Sequence, residues 1–183
     1  MSASQRLEQV LSPARFDALL LELYGPELMP AQRPVLVSQW SKYYFALVWQ
    51  MAASGVQLPV FADTRITLDA RGLPVELAGN ARTCGDLEQL LEHHLNSLVQ
   101  RLATLGEVAA TVLWGNAGDC LDQALQQRGV ADHRGLQRLL QAPDSPLYAA
   151  VSRNAAGRRR RRTCCLSYKV DWVGHCEHCP LLA

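Results

Sequence analysis

The chain has 183 residues, 49% of them hydrophobic and 19% charged, which is enough for one core with a small appendage in the composition range of soluble globular proteins. Its most apolar run, Val108 to Trp114, falls far short of the roughly 20 residues that span a bilayer, which argues against a transmembrane helix. The net charge of +1 conceals an asymmetry: residues 1–150 carry eleven basic and fifteen acidic side chains, residues 151–183 seven basic and two acidic. The start lacks the long apolar stretch of a secretory signal, so the chain is expected in the cytoplasm, where thiols stay reduced.

In chain order, Gln5 to Tyr24 carries leucines, valine and phenylalanine at helical spacing, with Pro13 breaking or restarting the helix. Gly25-Pro26 and Pro30 mark a loop. Pro34 suits the first turn of a second helix, Val35 to Ala53, closed by Gly55 and dense in aromatics: Trp40, Tyr43, Tyr44, Phe45 and Trp49. Val60-Phe61, Ile66-Thr-Leu68 and Val75-Glu-Leu77 surround Asp69-Ala-Arg-Gly72 and predict a hairpin. Thr83 with Asp86 resembles a capping box for a helix to about Ala103. Another helix is expected from about Gly106 to Gln127, ending before Gly129, and a short one near His133 to Gln141. Pro143 and Pro146 bracket a turn, and Ser152 to Gly157 reads as a linker. Beyond it, Leu166, Tyr168, Val170 and Trp172 alternate with Ser167, Lys169 and Asp171, which predicts a strand with one buried side. The expected fold is therefore α+β and mainly α-helical. It comprises a helical domain over 1–155 with a small β-hairpin, and a short C-terminal ribbon over 156–183 that needs a staple to hold it.

That ribbon contains four of the six cysteines within sixteen residues: Cys164, Cys165, Cys176 and Cys179. Adjacent cysteines are poorly spaced for a disulfide, since neighbouring α-carbons lie about 3.8 Å apart against the roughly 4.4–6.8 Å a disulfide wants. Clustered thiolates in a reducing compartment point to a metal, either zinc or an iron–sulfur cluster. Cys-x-x-Cys is half of many zinc sites, and His175 and His178 lie beside it. A Cys-Cys doublet is atypical for zinc, because neighbours in a strand point to opposite faces, and two irons relax that demand. Spacing alone leaves both metals open. Cys84 and Cys120 read as ordinary buried thiols, and His93-His94 sit about 100° apart on a helix and form no two-ligand face.

Arg161-Arg-Thr-Cys-Cys-Leu-Ser-Tyr168 and Cys176-Glu-His-Cys-Pro-Leu-Leu182 closely resemble the C-terminal signature of the FhuF-like ferric-siderophore reductases. Those proteins hold a [2Fe–2S] cluster through Cys-Cys-x10-Cys-x2-Cys. Ser38-Gln-Trp-Ser-Lys42 and Leu113-Trp-Gly-Asn116 are similar to other segments of that family. The resemblance implies that Cys164, Cys165, Cys176 and Cys179 bind a [2Fe–2S] cluster. It also implies a cytoplasmic oxidoreductase that reduces siderophore-bound iron(III), often a hydroxamate, with electrons from a separate donor.

Such chemistry fits a one-electron carrier, because siderophore oxygen donors suit iron(III) far better than iron(II). The run Arg158 to Arg162 precedes the first cysteine by a single residue, Thr163. Its charge favours the more negative, reduced cluster and raises the potential. The candidates for contact with an anionic substrate are Arg158, Arg161, Arg162, Trp40, Lys42, Trp114 and Asn116. Core packing for the tryptophans and a satisfied buried amide for Asn116 are the competing structural readings. Two other functions compete: a zinc-stapled module whose arginines grip nucleic acid, and an iron–sulfur sensor or carrier that reduces no siderophore. Neither nucleic acid nor a membrane is the favoured partner.

Overall fold

Pro13 does split the N-terminal helical stretch, as its ring requires. After a two-residue strand β1 (Gln5–Arg6) come α1 (Leu7–Val10) and α2 (Pro13–Tyr24), with Pro13 in the first turn of α2. The computed structural model describes residues 4–79, 81–128 and 133–182. Helix α3 (Arg33–Ala53) has Pro34 in its first turn and Gly55 at φ +76° just past its end. Its sequence is apolar nearly all round, so it lies inside the molecule rather than on its surface. Trp40, Tyr44, Phe45, Val48 and Trp49 are all buried along it.

The expected hairpin forms from β2 (Arg65–Leu68) and β3 (Pro74–Ala78), with β1 added as a third antiparallel strand in the order β1-β2-β3. Gln5 and Leu77 both lie opposite Ile66. Val60-Phe61 is not part of a strand and leads instead into a 3₁₀ turn, Phe61–Asp63. The next helix is capped three residues later than the capping box predicts. Asp86 is the residue in extended conformation, and its carboxylate accepts the Gln89 N–H at 2.8 Å, while Thr83 turns toward Gln57. α4 (Leu87–Gln89) then runs through a π-helical turn, Leu90–Leu95, into α5 (Asn96–Gly106). Glu107 at φ +50° ends α5.

α6 (Ala110–Arg128) and α7 (Arg134–Gln141) follow. The Gly129 expected to close α6 lies outside the described residues. α3 packs mainly along α6, and Trp49 Nε1 donates to the Ala117 carbonyl between them at 2.8 Å. The fold is thus mainly helical α+β.

Two expectations fail in the C-terminal part. The expected linker, Ser152 to Gly157, is instead half of a hairpin: β4 (Val151–Arg153) pairs antiparallel with β5 (Arg159–Arg161). The Asn154 side-chain oxygen accepts the N–H groups of Ala156 and Arg158 across the turn, and Gly157 supplies the φ of +75°. Residues 155 and 156, the expected domain boundary, fall inside that turn. The expected strand through Leu166, Tyr168, Val170 and Trp172 does not form. Leu166 adopts φ +68°, and Ser167–Lys169 make a 3₁₀ turn. Val170 and Ser167 are buried, whereas Trp172 is 72% exposed. A regular pleat would send Cys164 and Cys165 to opposite faces. The chain instead turns sharply at Leu166, with Cys165 buried and Cys164 partly exposed.

Candidate metal centre

The site is assembled from three elements. β5 is amphipathic with period two, as a strand must be. Arg158, Arg160 and Arg162 are exposed, while Arg159 and Arg161 point inward, with only 2% of the Arg161 side chain exposed. Both inward arginines meet α6. Arg161 bonds the Asn116 side-chain oxygen and Asp119 Oδ2 (3.3 Å). Arg159 takes Asp119 Oδ1 (2.8 Å) and Asp122 (2.7 Å), and Asp122 also receives Arg153. Glycines let the strand come this close. A β-carbon on Gly115 would stand 2.9 Å from Thr163, and one on Gly118 only 2.2 Å from Ala150.

The same network reaches α3. The Asn116 amide donates to the Ser38 carbonyl and to the Ser38 and Ser41 hydroxyls, all within 3.0 Å. Ser38 Oγ in turn donates to the Cys165 carbonyl at 2.8 Å, and Gln39 Nε2 donates to the same oxygen at 3.0 Å. Every buried side-chain nitrogen and oxygen among the described residues has a partner, which is what a buried polar network needs in order not to be destabilising. Backbone contacts close the assembly: the Arg161 N–H donates to the His178 carbonyl at 2.9 Å. The turn carrying Cys176 and Cys179 is thereby tied to the strand that precedes Cys164.

All four cysteines of the segment are free thiols. They are mutual neighbours: Cys164 lies near Cys179 and Cys165, and Cys176 near Cys165. Among the described residues, no three His, Cys, Asp or Glu side chains converge as ligands of a single ion. Four neighbouring thiols have the donor chemistry of a two-iron cluster, in which each iron takes two thiolates, and equally that of a four-coordinate zinc. The Leu166 N–H points at Cys164 Sγ (3.3 Å), the kind of hydrogen bond to sulfur that tunes such clusters.

Lys42, one helical turn beyond Ser38 on α3, is half-buried rather than free in solvent, and it faces Cys165. Burial opposes ionisation of the Cys165 thiol. The Lys42 ammonium and hydrogen bonds from Ser167 outweigh it and bring the thiol down to about 6. Burial and the neighbouring Cys165 push Cys176 up to about 11. Burial likewise raises Cys164, so Cys165 alone of these three is biased toward the thiolate, by its cationic neighbour on α3.

The other predicted contact residues divide among different places. Trp40 is wholly buried, edge-on to Phe16 at 5.1 Å, with its Nε1 donating to the Gly72 carbonyl. Asn116 is equally buried and committed to the network above. Lys42 and Arg161 border one cleft, Trp114 and Arg162 a second, and Arg158 a third. His175 is exposed and stacked on Tyr168. Cys84 and Cys120 are buried, and burial together with Asp119 pushes the Cys120 thiol up to about 12. Sequence reasoning missed Asp119 and Asp122. Their signal was available: Asn116, Asp119 and Asp122 form an i, i+3 polar stripe on an otherwise apolar helix, in a chain with one long arginine run awaiting partners.

A thiol-rich segment beside a cationic side chain, set on a helical frame, has the donor chemistry of a metal-binding protein. A family model for the ferric iron reductase FhuF-like transporters matches residues 38–163, and one for the FhuF 2Fe-2S C-terminal domain matches residues 161–181. The chain therefore belongs to the FhuF-like ferric iron reductase family and is an oxidoreductase carrying a [2Fe–2S] cluster. No curated protein matches it. Among the described residues, no helix is long and apolar enough to cross a membrane.

Proposed function

We propose that the protein reduces iron(III) held by a siderophore, of the hydroxamate class, releasing it as iron(II) in the cytoplasm. In this reading Cys164, Cys165, Cys176 and Cys179 hold the cluster, and a separate one-electron donor recharges it. The observation that carries the proposal is the gathering of the four thiols beside Lys42 on α3, in a chain of the ferric iron reductase family. When bound, the cluster supplies a one-electron step that weakens the grip of hard oxygen donors on the iron. The chain does the rest. Ser38 and Gln39 fix the Cys165 backbone. Arg161 anchors both cysteine turns. Lys42 and Arg161 offset the negative charge that reduction adds.

The arginine run gives little support to the nucleic-acid alternative. Two of its five members are turned inward onto carboxylates, and a phosphate-binding stripe needs its cations outside.

Anaerobic purification followed by a visible spectrum before and after dithionite tests the proposal. Reddish-brown absorption should bleach on reduction and return as a ferric trihydroxamate is added, with iron(II) captured by a colorimetric chelator. A colourless protein with one zinc and no acid-labile sulfide would sink it. Bleaching with no iron(II) release would leave a sensor or carrier instead.

A further inference from the structure

Three clefts border the cysteine turns, and they are not equivalent. The one bounded by Trp114 and Arg162 reaches Thr163 but includes none of the four cysteines. The one bounded by Arg158 and Arg160 includes Cys179, which is only 4% exposed. The third lies between α3, α6 and the Cys176–His178 turn, encloses about 380 Å³, and has the partly exposed Cys176 in its wall. A group resting there meets a cluster sulfur directly, and electron transfer falls steeply with distance.

The walls of this cleft also have the chemistry of a binding site. Arg161 and Asp119 line it but are spent on one another and on Arg159. Lys42 forms no ion pair with a carboxylate among the described residues; its ammonium donates to Gln39 Oε1 at 3.1 Å and faces Cys165. With three N–H donors it keeps one for an acceptor oxygen in the cleft. Gln39 and Gln123 add amide donors and acceptors. Tyr43, from the aromatic-rich helix, is 49% exposed at the rim beside the small side chain of Ala46. An aromatic ring left half in water next to a charged, amide-lined hollow is unusual for α3, whose other large aromatics are all buried.

We infer that this cleft is the docking site of the ferric chelate. Lys42 donates to the hydroxamate oxygens of the chelate, Tyr43 covers its organic rim, and Cys176 forms the wall nearest the metal. The inference rests on the reductase reading above and adds where, and by which residues, the substrate is held. Arg158 and Arg162, on the other two clefts, are left outside it.

The test separates binding from reduction by using a gallium(III) trihydroxamate, which has the shape and charge of the iron complex but cannot be reduced. Calorimetric titration of the cluster-loaded protein should show binding. Gln123→Trp, at an exposed position on the α6 wall, fills the cleft without touching the core. It should weaken binding by about tenfold or more, with the visible spectrum unchanged. Ala46→Trp, from the α3 wall, should do the same and raise KM for the ferric complex more than it lowers kcat. Should both variants bind gallium chelate as the wild type does, or should the wild type reduce the ferric chelate with no measurable gallium-chelate binding, the cleft assignment is overturned and the reductase reading stands. A wild-type protein that reduces no ferric chelate overturns the reductase reading itself, and this assignment with it.

Discussion

Helix α3 meets the rest of the molecule in two different ways. Around Trp40, Tyr44 and Trp49 it contacts its neighbours through buried rings and aliphatic side chains, stabilised by area removed from water. Around Ser38, Gln39 and Lys42 it meets the cysteine segment through hydroxyls, amides and charges, with few apolar side chains shared. The first kind of contact holds a frame whether or not a cofactor is bound. The second is directional and fully satisfied, and it adds little burial, so it positions the cysteine turns more than it stabilises them. The segment's own buried apolar side chains are few, chiefly Val170 and the two cysteines Cys165 and Cys179. Such a short stretch depends on its metal for order.

Cys164→Ser should therefore separate the two regions most cleanly. Visible absorption and cluster iron are lost, while far-ultraviolet circular dichroism keeps the helical signal of the frame. Survival of the colour would contradict the assignment of Cys164 as a cluster ligand.

The next largest effect falls on the seam between the regions. Asp119→Leu strands the buried Arg161 guanidinium and should destabilise the protein by about 3–5 kcal/mol, read from the urea midpoint. Adding Arg161→Met should restore part of that loss, since it removes the stranded charge; Arg159 keeps Asp122, while the buried Asn116 oxygen loses its donor. A double variant as unstable as the single one would show that the seam depends on the charges themselves.

The frame has its own polar weak point. Buried His94 donates from Nδ1 to the Pro59 carbonyl (2.7 Å) and accepts the Tyr44 hydroxyl at Nε2 (2.9 Å). Burial lowers its pKa from 6.5 to about 4, with the Pro59 hydrogen bond only partly opposing. The folded state thus holds the neutral ring, and the unfolded chain takes up a proton first. Stability contributed by this group is complete above the unfolded value, falls as pH drops from about 6.5 to about 4, and is then level. The loss is about 3 kcal/mol. In the Cys164→Ser background, where no cluster confuses the signal, urea unfolding at pH 7 and pH 4.5 should show it, and His94→Gln should flatten the difference.

The smallest effect distinguishes charge from packing at the cluster. Lys42→Met keeps the length of the side chain and removes the cation beside Cys165. The midpoint potential should fall by something on the order of tens of millivolts, and Lys42→Arg should hold it near the wild-type value. Spectroelectrochemical titration reads both. An unchanged potential in Lys42→Met would place the ammonium too far from the sulfurs to matter.

The difference between the two regions also explains what could be read in advance. In the frame, local signals and tertiary packing agree: Pro13 and Pro34 start helices, and Asp69 to Gly72 turns a hairpin. The apolar face of α3 is buried where its sequence demands. At the cysteine segment they disagree. Leu166, Tyr168, Val170 and Trp172 alternate like a strand, yet Leu166 takes a left-handed backbone conformation and the chain coils instead. The arginine run reads as a solvated patch or a substrate grip, because nothing nearby in sequence partners it. Its partners, Asn116, Asp119 and Asp122, lie about forty residues upstream on another element. Lys42 likewise reads as a surface lysine until α3 is set against Cys165.

By itself the sequence determined the helical class of the fold, the metal-binding character of the clustered cysteines, and the resemblance to a family whose members are reductases. These depend on residue type and short-range spacing, which are complete in the linear chain. Only the tertiary structure decided that Lys42 faces Cys165, that alternate arginines turn inward onto α6, and that a cleft opens beside Cys176. Those features arise where α3, α6 and the C-terminal turns meet. Contacts between elements distant in sequence depend on how the elements pack, and no local pattern encodes that.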